Sequence, residues 1–343
     1  MRSGRTIALW CLAWYVAIQL PILLIKDRWQ TIGPAHEARK WPALRKLAVH
    51  NTERPLVLML GSSRTCWAFQ AGPLNGLPGP DGQPLRVYNF GIPATGPIHE
   101  LLYLRDMLAQ GIRPRLLLVE FLPPLLCAHQ RGALSEENMK GFAHVSARDF
   151  MRLLPYMSRP GRRGREWVEA RIAPSFAFRR QIQCEIVDWA LGISPHPFSS
   201  EIDAGGWHIL SPEPLPDEER TRRVQMAHEG FLPSLSNYHL SDVAAGALRD
   251  LFELCRREQI PTALVLMPES SEFRSWYSAE ARSASRGLLE ELSRAYDAPI
   301  IDAEKWIADE DFEDGQHVLL RGANVFTHHL WGEIERLLAR KVD

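Results

Sequence analysis

Hydrophobic positions fall into three kinds of pattern along the chain. Residues 6–25, TIALWCLAWYVAIQLPILLI, form a run without charge. At about 1.5 Å per residue such a run reaches across one hydrocarbon core of about 30 Å. It predicts a transmembrane helix. Trp10, Trp14, Tyr15 and Trp29 are the amphipathic aromatics of such a segment, with Trp29 at interface depth. A cleaved signal peptide has a shorter apolar region and a small-x-small site. Here the run ends in Ile-Lys-Asp-Arg-Trp, which favours an uncleaved single anchor.

The second pattern is short and fully apolar. Segments 56–60 (LVLML), 86–90 (RVYNF), 115–122 (RLLLVEFL), 262–267 (TALVLM) and 298–302 (APIID) read as buried parallel strands. The third has helical spacing. Residues 98–110 end at Gly111, residues 242–259 follow an N-capping Ser241, and residues 279–296 and 323–341 are two more helices. Strand–helix alternation predicts an α/β fold with a doubly wound parallel sheet.

Two stretches depart from this alternation. Residues 28–52 read as a polar, partly helical stalk, so that residues 1–50 form an anchor-and-stalk region ahead of an α/β domain at 51–343. Residues 126–240 carry no strong strand signal. Residues 146–192 look helical and 193–238 are rich in Pro, Gly and Ser. A structureless loop of that length is improbable in a compact domain, so 126–240 reads as a largely helical insertion.

Composition alters this picture little, but charge does. The formal net charge is −1 over 343 residues, which gives no sign of a nucleic-acid protein. Residues 1–50 carry eight Lys/Arg against two Asp/Glu, and residues 241–343 carry twelve against twenty. The near-neutral average therefore hides a basic N-terminus and an acidic C-terminal third. Lys26, Arg28, Arg39 and Lys40 after the span lean, by positive-inside counting, towards a cytoplasmic C-terminus. The five cysteines (11, 66, 127, 184, 255) give neither a disulfide framework nor a zinc signature.

Candidate chemistry sits at the C-terminal ends of the expected strands, where open α/β sheets place their sites. Gly61-Ser62-Ser63-Arg64-Thr65 follows the first strand. Asn89-Phe90-Gly91 ends the second. Asp314 and His317 stand three apart ahead of a helix. That spacing lets a carboxylate hold imidazole Nδ1 and leaves Nε2 to take a proton from a serine. Each element alone has a plainer reading, as a capping serine, a glycine turn or a surface Asp–His pair.

Taken in order, these segments resemble the SGNH/GDSL hydrolase superfamily. Gly61-Ser62-Ser63 is similar to its first block, with Ser63 at the nucleophile position. Asn89-Phe90-Gly91 is similar to the second, and Asp314-x-x-His317 with Gly322-Ala323 to the fifth. The resemblance covers residues 56–122 and 260–343. It implies a three-layer, flavodoxin-like α/β fold. It also implies a Ser63–His317–Asp314 triad and an oxyanion hole from the Ser63 and Gly91 N–H groups. Ser62 replaces the usual Asp, and Val119-Glu120-Phe121-Leu122 lacks the third-block Asn. Its oxyanion donor would then come from Asn89 or Arg64. With the anchor, the sequence resembles the membrane-anchored branch involved in envelope-polymer O-acylation, such as the alginate O-acetylation proteins. That resemblance implies an extracytoplasmic (periplasmic) domain working beside a membrane-bound O-acyltransferase, with an acyl ester and an envelope glycan as substrates. It implies neither a cofactor nor a metal. A catalytically inactive module that binds polymer or scaffolds the acyltransferase is the alternative.

Three features lie outside these blocks. Glu120 and Glu269, each near a strand end, either line the pocket or cap turns. His328 and His329 read as structural. Residues 152–180 hold eight arginines against Glu166 and Glu169, interleaved with Trp167, Phe176 and Phe178. That stretch suits either a solvated face or docking to a membrane surface or partner.

Overall fold

In a computed structural model of the chain, residues 4–25, 32–49, 53–128, 136, 145–157, 159–190, 201–212 and 215–340 are described. Lys26, Arg28 and Trp29, at the expected membrane interface, fall outside them. The chain divides into two compact units. One comprises residues 1–35 with 140–199, the other residues 36–139 with 200–343. The boundaries therefore do not follow the expected limits at 50, 126 and 240. The insertion is shared between the units.

The larger unit is built on five strands: β1 (Leu56–Gly61), β2 (Arg86–Gly91), β3 (Leu116–Phe121), β4 (Thr262–Leu266) and β5 (Ile300–Asp302). All pair in parallel, in the order β2-β1-β3-β4-β5. Every residue of β1, β2 and β3 is buried, as a sheet covered on both faces requires. In this order the chain reverses direction across the sheet between β1 and β3. In open α/β sheets such a reversal is where strand ends place a site.

Helices α1 (Gly4–Ile25) and α2 (Ile32–Val49) precede the sheet. Within the larger unit come α3 (Ser63–Ala68) and α4 (Pro97–Ala109). Helices α5 (Ala147–Leu153), α6 (Pro160–Ile172), α7 (Pro174–Ala177) and α8 (Arg179–Ala190) belong to the smaller unit. The larger unit resumes with α9 (Asp217–Ser236), α10 (Asp242–Arg257), α11 (Ser271–Ser275), α12 (Ala279–Tyr296) and α13 (Leu320–Ala339). The apolar stripe of α13, with Phe326, Leu330, Ile334 and Leu338, packs against Val57, Met59, Leu118 and Val265. Ser241 and Ser278 cap α10 and α12 through their hydroxyls.

Residues 36–49 of α2 do not form a stalk. His36, Lys40 and Leu44, spaced four apart, are wholly buried. The Lys40 ammonium donates to the carbonyls of Asn89 (3.1 Å) and Gly91 (2.6 Å), and the Tyr88 hydroxyl donates to the Lys40 carbonyl. Three acceptors around a buried ammonium offset the cost of taking it out of water. Residues 200–240 likewise belong to the sheet unit. The Asn89 N–H donates to the Gly205 carbonyl, and a Cβ on Gly206 would lie 2.3 Å from the Asn89 carbonyl.

In the smaller unit, α1 is long and apolar enough to cross a membrane, and none of it is buried. Phe150 stacks on Trp167, whose indole N–H donates to the Val145 carbonyl.

Candidate active site

The site grows out of the turn that joins β1 to α3. Ser62 caps α3, its hydroxyl accepting from the Arg64 N–H. Ser63 is then the first residue of the helix, where an N–H has no partner inside the helix. The Ser63 hydroxyl lies 2.7 Å from His317 Nε2. His317 Nδ1 lies 2.6 Å from Asp314 Oδ2. The other carboxylate oxygen accepts the N–H groups of Gln316 (3.1 Å) and His317 (2.8 Å). This network assigns the Nδ1–H tautomer, with Nε2 accepting from Ser63. Residues 254 positions apart thus meet at one hydrogen bond.

The loop that carries Asp314 and His317 is a closed turn. Gly315 takes φ +91°, which suits glycine, and the Glu313 N–H donates to the His317 carbonyl. It is braced from α9, where Arg220 donates to the Phe312 carbonyl and Arg223 pairs with Glu313 at 2.6 Å. The edge of Trp67 meets the His317 ring at 4.6 Å.

Electrostatics favours a base at His317. Burial alone pushes the imidazole down, but the Asp314 carboxylate outweighs it, with Glu313 adding to the effect. His317 therefore sits above its ordinary value. Burial pushes the Asp314 carboxyl up, yet the imidazole and the two backbone amides hold it below the usual range. The His208 ring also meets the same indole, with ring centres 5.4 Å apart. Burial, with positive neighbours His36, Lys40 and Arg39, pushes it down to about 4.

Two buried glutamates flank the nucleophile turn. Glu120, at the end of β3, accepts from the Ser62 N–H (2.7 Å), the Ser62 hydroxyl (2.8 Å) and the Thr65 hydroxyl (2.7 Å). A Cβ on Gly61 would lie 2.3 Å from the Glu120 carboxylate, so glycine is needed for this approach. Glu269, after β4, pairs with Arg64 Nη1 at 2.6 Å, both side chains 3% exposed. It also accepts from the Tyr277 hydroxyl. Arg64 Nε donates to Gln316, its guanidinium lies over the Phe273 ring, and its Nη2 is buried without a partner.

The expected oxyanion donors are placed differently. The Gly91 N–H donates to Asn89 Oδ1 at 2.8 Å. The Asn89 amide donates to the Thr65 (2.8 Å) and Phe69 (2.7 Å) carbonyls. Asn89 and Gly91 therefore tie the end of β2 to α3. A Cβ on Gly91 would lie 2.5 Å from the Cys66 nitrogen, so its lack of a side chain serves that close packing. Ser63 N–H is the candidate donor left at the turn, since the Arg64 guanidinium is buried against Glu269 and Phe273. Trp67, Gln316 and Tyr277 carry no local signal in the sequence. Only the folded chain brings them to the turn.

Glu313, Asp314 and His317 offer one donor atom each within 4.8 Å, a spacing that suits a cation. However, both His317 nitrogens and both Asp314 oxygens already hold the hydrogen bonds above, and Glu313 holds Arg223. His328 and His329 lie on α13, where His329 rests on Trp306. Compared with known protein families and with curated proteins, the chain matches none.

Proposed function

We propose that the protein is a membrane-anchored, SGNH-like serine esterase or O-acyltransferase that acts on acyl esters of an envelope glycan. One observation carries this reading: Ser63, His317 and Asp314 stand in line at 2.7 and 2.6 Å. His317 removes the Ser63 proton as the hydroxyl oxygen attacks an acyl carbonyl. The oxyanion forms against the Ser63 N–H, where one donor is typically worth about 3–4 kcal/mol. The imidazolium, held by Asp314, returns the proton to the leaving alkoxide. Water or a sugar hydroxyl then takes the acyl group from Ser63, making the protein a hydrolase or a transferase respectively. Helix α1 serves as the single-pass anchor, with the catalytic unit outside the cytoplasm and a membrane-bound O-acyltransferase as its partner.

The test is hydrolysis of an aryl acetate by the full chain in detergent, comparing wild type with Ser63→Ala and His317→Ala. Turnover lost in both variants is expected. Turnover equal to wild type in both would end the triad reading, and a C-terminal reporter active only in the cytoplasm would end the envelope placement.

A further inference from the structure

We propose that residues 172–178, the apolar turn linking α6 to α8, insert into the membrane surface beside α1, under an anionic lipid headgroup layer. This rests on the reading of α1 as a membrane span. Tyr15 and Gln19 are polar residues inside the apolar run, and at i and i+4 they share one face of the helix. Polar groups at membrane depth are costly unless paired within the protein. Both are paired, and with this turn. The Tyr15 hydroxyl donates to the Ile172 carbonyl. Gln19 Nε2 donates to the Ser175 hydroxyl at 3.0 Å, and Gln19 Oε1 accepts the Ser175 N–H at 2.9 Å. The turn is thus read by side chain and backbone together.

Depth follows from helix geometry. Gln19 lies six positions before the end of α1 at Ile25, a rise of about 9 Å, and Tyr15 ten positions, about 15 Å, so the turn runs from Ser175 near the interface towards mid-span at Ile172. The Ser175 end matches the depth of about 5–10 Å reached by interfacial amphipathic segments, and the Ile172 end lies deeper. The exposed apolar side chains of the turn are Ile172 (60%) and Phe176 (59%), with Ile186 and Val187 exposed on α8. Arginines flank them, with Arg179 lying 4.3 Å over the Phe176 ring and Arg171 lying 3.5 Å over Trp167. Apolar tips between arginines and aromatics suit a bilayer interface, and the excess of arginine over residues 152–180 selects an anionic one.

The test places an environment-sensitive fluorophore on Phe176→Cys in a chain carrying Cys11→Ser and Cys184→Ser. That full chain is reconstituted in phosphatidylethanolamine–phosphatidylglycerol vesicles. Ile172→Cys in the same background is an independent reporter. The native Cys11, exposed on α1, is labelled separately as the control for the span. Loss of fluorescence to a nitroxide near the lipid headgroups at 176 and to one further down the acyl chain at 172, with protection from aqueous iodide at both, is expected. Quenching by iodide at both, with the Cys11 probe in lipid, overturns the insertion and leaves the anchor standing. Protection from both quenchers at 172 and 176 means a protein covers the turn and also overturns it. Iodide quenching at Cys11 removes the span itself.

Discussion

Two imidazoles contact the indole of Trp67, and they are opposite in character. His317 touches it at 4.6 Å and His208 at 5.4 Å, both edge-on. Burial lowers the proton affinity of each. His317 recovers because a carboxylate faces its Nδ1, whereas His208 faces His36 at 3.3 Å and feels Lys40 and Arg39. One ring takes a proton more readily than a free imidazole, and the other is pushed down to about 4. The chemistry is set by the second neighbour of the ring, not by the ring or by its burial.

The largest expected effect comes from removing either end of the hydrogen bond that only one imidazole makes. Ser63→Ala and His317→Ala each lower kcat for ester hydrolysis by at least about 10³-fold, and the double variant falls little further, because the two groups act as a unit. Additive losses in the double variant would show that they act separately.

Asp314→Asn gives His317 the kind of surroundings His208 has. Without the carboxylate, burial dominates and the imidazole moves down. The expected cost is about 10³- to 10⁴-fold in kcat, with the fold intact by circular dichroism. In wild type, kcat/KM falls as the pH drops through the His317 value, which lies above the ordinary imidazole value of about 6.5. A limb centred well below that value would contradict the Asp314 contribution.

The glutamates flanking the turn test its support rather than its base. Glu269→Ala leaves the buried Arg64 guanidinium without its counter-charge, at a cost of about 3–5 kcal/mol in denaturant unfolding. Glu120→Gln presents an amide N–H₂ where three donors converge, so about 1–3 kcal/mol is lost. Activity should fall as the Ser62–Ser63 turn loosens. An unchanged unfolding midpoint for Glu120→Gln would show that the turn holds without its clamp.

Local spacing made the five strands legible, and likewise the Asp314–His317 pair, since strand burial and the Asp-x-x-His geometry are properties of a few adjacent residues. What required the fold was where long-range partners go. Asn89 and Gly91 stand at the site's edge, as their strand-end position implied, but their polar groups are spent on α3 and on each other. The buried face of α2 escaped because its members are His36, Lys40 and Leu44, and a hydrophobic pattern does not register a buried lysine or histidine. Glu136 collects the N–H groups of Gly96, Ile98 and His99 at the start of α4. No local signal assigns a helix cap to a residue nearly forty positions downstream.

The smallest catalytic effect, and the cleanest separation of the two rings, is expected for His208→Asn. His208 holds no hydrogen bond to Ser63 or Asp314, so kcat/KM at neutral pH should stay close to wild type. Stability should respond instead. The His208 value is pushed down to about 4 in the fold, against about 6.5 unfolded. Between those values the unfolded chain binds a proton that the folded chain refuses. The contribution of His208 is therefore intact above about 6.5 and is lost as the pH falls towards 4. Asparagine does not titrate there, so the variant should lose less stability than wild type over that window when unfolding is followed by denaturant at each pH. Identical pH dependence in the two proteins would mean that His208 is protonated as readily in the fold as outside it, and the contrast across Trp67 would disappear.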